Sequence, residues 1–341
     1  MNRYTFVDYA TQGYVAVVGL LILFFHGARL PAWPWLLLAH GTTLFLIHGL
    51  IRFCARSSPA ALLERLRQYY PIPLFALFYR ETGELNQLFQ TGYLDLHFLR
   101  LEQSWFGLQP GLELMKRFPA TWLAELLFGA YFSYYLMIAG AGLVLLLRRD
   151  RRQFAHYIAV VSFTFYVCYL IYIFMPVVGP RIVFLGLPGQ VLPPECLPVR
   201  SFAPPDSAQH AVFFRIMEWI YDHFEAAGAA FPSSHVAVAI CTVYFSFLYL
   251  RRIRHLFLTV TGLLCVATVY GRYHYVVDVA AGMFAAGVLI PLGNRLYFNF
   301  ENRSRARRLA EEAGGAGLAV LSADSPAAVA RLKQSRQTPR S

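Results

Sequence analysis

The sequence predicts an all-α integral membrane protein: a multi-helix transmembrane bundle of about eight crossings, one of them short. Three observations carry this. Hydrophobic residues make up 57% of the 341 positions and charged residues only 14%, against about 25% charged in soluble domains; mean hydropathy is +0.46. Apolar runs of spanning length recur along the chain, separated by short arginine clusters. Aromatic residues reach 16%, and many Trp and Tyr stand at the ends of the runs, where amphipathic rings favour the bilayer interface.

A spanning helix needs about 20 mostly apolar residues. The runs 13–30, 33–53, 122–147, 155–175, 233–250, 255–271 and 276–297 meet that need, and 69–79, with Pro71 and Pro73, is shorter. Met1-Asn2-Arg3-Tyr4 lacks the pattern of a signal peptide, so the first run is expected to stay as a helix. Arginine clusters follow four runs: Arg52, Arg56, Arg65 and Arg67; Arg148, Arg149, Arg151 and Arg152; Arg251, Arg252 and Arg254; and Arg295, Arg303, Arg305, Arg307 and Arg308. The positive-inside rule assigns all four to the cytoplasm. An odd number of crossings must then separate 52–67 from the start of 122–147, so 69–79 is expected to cross where the bilayer thins. Both termini fall inside, and the turns at 231–235 and 272–278 fall on the outer, or periplasmic, face.

Between 81 and 121, Leu94, Leu96, Phe98, Leu99 and Leu101 alternate at helical spacing with Asp95, His97, Arg100 and Glu102, which predicts an amphipathic helix on the outer interface. Glu81, Glu84, Asp95 and Glu102 could line a substrate cleft or be solvated at the interface, and solvation is the favoured reading. The loop 176–230 has a proline-rich, extended first half and helical periodicity around 211–225. Beyond 301 the chain is rich in Arg, Ala, Gly and Ser with no long apolar face, and disorder is expected. The domain reading is 1–121 for the N-terminal helices and interfacial segment, 122–300 for a catalytic membrane domain, and 301–341 for a basic cytoplasmic tail.

The net charge of +11 rests on arginine, since lysine occurs only at Lys116 and Lys333. Clusters placed between apolar runs point to topology and anionic lipid headgroups rather than to nucleic acid. Cys54, Cys168, Cys241 and Cys265 lie in or beside apolar runs and Cys196 stands in a loop; no pair has metal-ligand or disulfide spacing. His26, His40, His48, His156 and His255 lack a carboxylate at helical spacing and are read as structural. Haem between histidine runs and zinc on His235, His274 and Asp278 are the weaker readings. Nothing selects among Asp206, His210, Asp222 and His223.

The chemistry concentrates at 231–282. Asp278 follows His274 by four residues, one turn along a helical face. There it can accept one imidazole N–H and leave the other nitrogen free to attack, as in a triad. His235 can then serve as acid and base toward a leaving and an entering oxygen. Ser233 and Ser234 begin a helix, where amides and the dipole favour phosphate. Arg181 and Arg272 add fixed positive charge. Such a constellation suits phosphoryl transfer with histidine as carrier. A transporter using these groups as an ion relay would instead place them mid-helix in paired halves, which the sequence does not show.

Phe231-Pro232-Ser233-Ser234-His235, followed by His274 and Asp278 in His-Tyr-Val-Val-Asp, resembles the second and third motifs of the type 2 phosphatidic acid phosphatase superfamily. The resemblance implies His274 as nucleophile, Asp278 as its orienter, His235 as acid/base, Ser233 on phosphate, and no metal or other cofactor. Departures stand beside it. Ser234 replaces a glycine, Thr268 stands where the third-motif arginine is expected, and Arg272 lies two residues before the histidine. In Gly179-Pro180-Arg181, the nearest match to the first motif, Phe174 takes the lysine position and Ile182 follows the arginine. These departures are similar to the inositol phosphorylceramide synthase branch, as is, less specifically, the segment near 95–110. The resemblance implies a lipid phosphotransferase or phosphatase, with a phospholipid or lipid phosphate as substrate and membrane lipids as its surroundings.

Overall fold

The computed structural model describes residues 4–56, 67–148, 150–186 and 204–323. By internal packing the chain forms two units that divide at Asn294. Among the described residues there is no strand, only an isolated bridge between Val177 and Ala229. The helices are α1 Phe6–Phe25, α2 Trp33–Arg56, α3 Pro71–Leu85, α4 Asp95–Phe106, α5 Pro110–Arg117, α6 Thr121–Leu147, α7 Arg151–Phe174, α8 Pro180–Gly186, α9 Asp206–Gln209, α10 Val212–Phe224, α11 Ser234–Tyr249, α12 Arg254–Tyr270 and α13 Val276–Ala323. Five are long and apolar enough to cross a membrane: α1, α2, α6, α7 and residues Val276–Ala306 of α13. The shorter α11 and α12, with 16 and 17 residues, are also apolar.

Several boundaries move from the sequence reading. The first helix begins at Phe6, not 13, because the Asp8 carboxylate accepts the Thr5 N–H at 2.8 Å and caps its first turn. The short run becomes α3, which starts on Pro71 and carries on through Arg80 and Glu81 to Leu85. Its 15 residues span about 22 Å, less than the ~30 Å hydrocarbon core. The proline-rich half of the outer loop is not extended at its start: residues 180–186 form α8. Residues 301–323 are helix rather than disordered, since Ala, Arg, Glu and Leu are strong helix formers. Arg65, Arg149, Cys196 and the end of the tail lie outside the described residues.

The core is a bundle of α6, α7, α11 and α12, with α1 against α7 and α2 against α1. In α7, 72% of the apolar window is buried; in α2, only 17%. The first is therefore the centre and the second faces outward with Trp35, Phe45 and Leu46 exposed. Arg67 is not a free topological charge. It is buried, and its Nη2 donates to the buried Asp8 at 2.6 Å. His40 has no carboxylate on its own helix but stands 3.4 Å from Glu81 of α3. His156 is bonded to Tyr249 and Asn294.

Contacts sort the bundle into two ends. Arg148, after α6, donates to the Tyr249 carbonyl at the end of α11, so the clusters near 148–152 and 251–254 share one end. At the other end Glu125 of α6 accepts from Val212 and Phe213 and caps α10, and Tyr270 bonds the Phe118 carbonyl. His235 lies at that second end, one helix length of about 24 Å from the first.

The 95–117 region forms α4 and α5, as periodicity implies, but its faces are not as read. The buried stripe of α4 is Asp95, Phe98, Leu99 and Glu102. Two carboxylates assigned to solvent face inward because backbone donors wait for them there.

Candidate active site

Ser233 is the N-cap of α11, its hydroxyl accepting from the Val236 N–H at 3.4 Å. Its own N–H donates to the Asp278 carbonyl at 3.1 Å. The Ser234 N–H donates to the Tyr172 hydroxyl at 3.1 Å, which in turn donates to the Pro232 carbonyl at 2.9 Å. Both serines are buried. The expectation that the Ser233 and Ser234 amides stand open for phosphate is therefore corrected: each already has a partner. Gly282 explains how α13 comes so close. A Cβ there would lie 2.6 Å from the Ser233 carbonyl oxygen.

The turn between α12 and α13 presents His274. Tyr273 and His274 both donate their N–H groups to the Thr268 carbonyl, at 3.0 and 3.1 Å. Thr268 itself is fully buried. The Asp278 carboxylate accepts the Tyr275 N–H at 2.8 Å, capping α13 three residues back, and the same oxygen lies 3.5 Å from His274 Nδ1. The other ring nitrogen, Nε2, is 3.4 Å from His235 Nδ1. Burial pushes the pKa of His274 down to about 4, opposed by a hydrogen bond to the Ala230 backbone, so the imidazole is neutral at ordinary pH. A proton on the carboxylate-facing nitrogen leaves Nε2 unprotonated toward His235. His235 packs against Tyr134 and Tyr131, ring centroids 4.8 and 5.2 Å away.

The arginines approach from two loops. The Arg181 N–H donates to the Arg272 carbonyl at 2.7 Å, which joins the first-motif segment to the turn that carries His274. Gly179, at φ +88, allows this approach; a Cβ would run into the Tyr273 carbonyl. Arg272 takes the left-handed conformation at φ +67, which costs an L-residue about 1–2 kcal/mol. It is 2% exposed, and burial pushes its pKa down to about 9. The Arg181 guanidinium is engaged by Glu225 at 2.9 Å and Asp222 at 3.2 Å and lies over the Tyr221 ring. Phe174, in the position of the motif lysine, stacks on Phe89. Thus Ser233, Ser234, His235, His274 and Asp278 form one contact set, Arg272 borders it in sequence, and Arg181 joins through its backbone.

A family model described as the PAP2 superfamily matches residues 96–292. The chain belongs to the PAP2 superfamily. Members are phosphatases or phosphotransferases, and membership points to an enzyme of that class acting on lipid-type substrates. No curated protein and no solved structure matches the chain. The matched stretch runs from α4 into α13, so the PAP2 region includes α4 as well as both histidine motifs.

Beside the histidines of this PAP2 chain lies a cavity of about 400 Å³. It is lined mostly by apolar side chains of α3, α6, α7 and α10, among them Phe75, Phe132, Leu136 and Phe165, together with Arg80, Glu225, Ser234 and His235. His274 does not line it. Among the described residues no three metal-ligating side chains converge.

Sequence reasoning missed several members of the site. Tyr172, Tyr221 and Glu225 carry no local signature, because their partners come from distant segments. Asp95 and Glu102 did leave one: with Phe98 and Leu99 they share the i, i+3, i+4, i+7 stripe that marks a buried face.

Proposed function

We propose that the chain is a membrane lipid phosphotransferase that carries a phosphate or phospho-headgroup on His274. The observation that carries the reading is the placement of His274 between two partners, Asp278 on Nδ1 and His235 on Nε2, with a mostly apolar cavity lined in part by His235. In the first half-reaction the Nε2 lone pair attacks phosphorus, and the bond from phosphorus to the lipid alcohol breaks. His235, which takes up a second proton as the anionic substrate binds, gives a proton to that alkoxide and returns to the neutral ring. Asp278 stabilises the positive charge that develops on the ring of His274. In the second half, an acceptor alcohol loses its proton to His235, attacks the phosphohistidine and frees His274.

Attack requires about 3–3.5 Å between nucleophile and phosphorus, and the leaving oxygen needs a further hydrogen bond of about 2.8 Å. The resting nitrogens are 3.4 Å apart. Substrate entry therefore separates the two rings, and their hydrogen bond is exchanged for bonds to the phosphoryl group. Buried Arg272, whose charge is disfavoured by its surroundings, is suited to the anion, and Arg181 is suited to it once Glu225 and Asp222 release it.

The departures at Phe174 and Thr268 favour the inositol phosphorylceramide synthase-like branch, with transfer of a headgroup, such as phosphoinositol, from a phospholipid to an alcohol such as ceramide or diacylglycerol. With water as acceptor the same chemistry is a lipid-phosphate phosphohydrolase. The reading also has eight crossings, cytoplasmic termini and an outward-facing site, supported by arginine clusters at the end of the bundle opposite His235.

The test incubates purified protein with labelled phospholipids, with and without ceramide or diacylglycerol, beside His274→Ala and His235→Ala. Acceptor-dependent product in the parent and none in the His274 variant is expected. Free phosphate without acceptor would make it a phosphatase, and undiminished turnover by the His274 variant would sink the phosphohistidine mechanism.

A further inference from the structure

The buried face of α4 touches both loops that build the site. Asp95 is fully buried. Its Oδ2 accepts the Val178 N–H at 2.9 Å, and its Oδ1 accepts the Gly179 N–H and the Tyr275 hydroxyl, each at 2.9 Å. Two turns along, Glu102 accepts the Val276 N–H with Oε1. One short helix thus holds the segment that ends in Arg181 and the residues that follow His274. The neighbouring bonds close the frame. The Val177 carbonyl accepts the Ala230 N–H and the Val177 N–H donates to the Gly228 carbonyl across the same loop, and the Arg181 N–H reaches the Arg272 carbonyl. Tyr275 stacks its ring on Phe98 of α4 at 5.8 Å.

These carboxylates are far from a random burial. An isolated buried charge is costly, and here it is offset by three aimed donors on Asp95 and by the amino end of α13 on Glu102, where a helix favours negative charge. Neither residue reaches the histidine pair. What they control is where the arginine segment and the start of α13 stand relative to each other, and an error of about 1 Å in such placement can cost about 100-fold in rate.

We propose that Asp95 and Glu102 are positioning residues of the active site, which set the register between the Gly179–Arg181 segment and His274. The proposal rests on the phosphohistidine reading. In Asp95→Asn one oxygen becomes an NH₂ group that opposes the Val178 N–H, so one bond is lost while side-chain volume is kept. Tyr275→Phe removes only the hydroxyl from Oδ1. Glu102→Gln removes the charge at the amino end of α13.

The experiment uses full-length protein in detergent and orthovanadate as the probe of the phosphoryl site, since it mimics the five-coordinate phosphorus whatever the lipid. Affinity is read by titration well below each variant's unfolding temperature. Parent protein is expected to bind vanadate and His274→Ala to lose it. Asp95→Asn is expected to weaken binding 10- to 100-fold, and Glu102→Gln and Tyr275→Phe about tenfold, the range seen when a partner that orients a ligating group is removed. Leu99→Ala is the control for mere structural damage. Leu99 is fully buried on the same stripe and shares an apolar cluster with Val178 and Tyr275 but makes no side-chain hydrogen bond to either loop, so its variant should unfold at lower temperature and lose far less vanadate affinity than Asp95→Asn. If Leu99→Ala weakens binding as much as Asp95→Asn, or if the Asp95, Glu102 and Tyr275 variants all bind like the parent, the positioning role is overturned while the function stands. If the parent binds no vanadate, or His274→Ala binds it equally, the phosphohistidine reading fails and takes this one with it.

Discussion

Gly282→Ala should damage the active site from outside it. Gly282 lies on α13, one turn beyond Asp278, and faces the cap of α11. A methyl group there would meet the Ser233 carbonyl oxygen at 2.6 Å, the Val236 Cβ at 3.1 Å and the Ser233 Cβ at 3.3 Å. Ordinary contact begins at 3.4 Å, so the helices must part by about 3.4 − 2.6 = 0.8 Å. The first atom met is backbone, which cannot rotate away. Overpacking of this kind costs about 1–3 kcal/mol. The same shift moves Ser233 and His235 away from Asp278 and His274, and a misplacement near 1 Å is enough for about a 100-fold loss of rate. Gly287→Ala, five residues further along α13, is the counterpart. No atom lies within 4 Å of a Cβ there, so alanine should stabilise the helix by about 0.5–1 kcal/mol. Denaturant unfolding in detergent and initial rates of acceptor-dependent transfer, measured on both variants, check the pair. A Gly282→Ala protein with parental rate and stability, or a Gly287→Ala protein equally impaired, would refute the close approach of α11 and α13 as the determinant of the site.

Asp278→Asn should lower turnover by about 10⁴-fold, as loss of the orienting carboxylate does in a triad, with substrate affinity measured by initial rates little changed. His274 gives a pH prediction. Its folded pKa, about 4 because of burial, lies below the unfolded value of about 6.5. The unfolded chain therefore binds the proton first, and the stability present above pH 6.5 is lost as pH falls toward 4; unfolding midpoints across that window should slope less in His274→Gln than in the parent. Breaking the buried Arg67–Asp8 pair by Asp8→Asn should cost about 3–5 kcal/mol, while Asp8→Leu with Arg67→Met should recover much of it, read by thermal unfolding. An equal loss in the single and double variants would show that the contact, rather than the stranded charge, matters.

What the sequence could reveal depended on how local each feature is. The boundaries of α6, α7, α11 and α12 were readable to within a few residues because apolar length and arginine flanks are local. The trio His235, His274 and Asp278 was readable because each helix end carries its own residues, and the cluster at Arg251 to Arg254 folds those ends together. The occupied amides of Ser233 and Ser234 were not readable, since Tyr172 lies 60 residues away from Pro232, its other partner. The inward face of α4 was misread for a different reason: a carboxylate counts as polar in any periodicity, and only the donors on the facing loops make its burial tolerable. Arg67 failed in the same way, counted as a surface cation until Asp8 appeared beside it.

These misreadings share a physical cause that bears on the chemistry. The site is dry: His274, Asp278, Arg272 and Asp95 are each less than 4% exposed. In such surroundings an unpaired charge is expensive, so every ionisable group must be neutral, paired or capping a helix. His274 is neutral, Asp278 caps α13, and Asp95 is saturated with donors. On the proposed mechanism an arriving phosphate changes that balance: it brings negative charge to Arg272 and Arg181 and takes the place of the contact between the histidines. The resting protein then holds its two histidines against each other, and the substrate itself separates them before either acts.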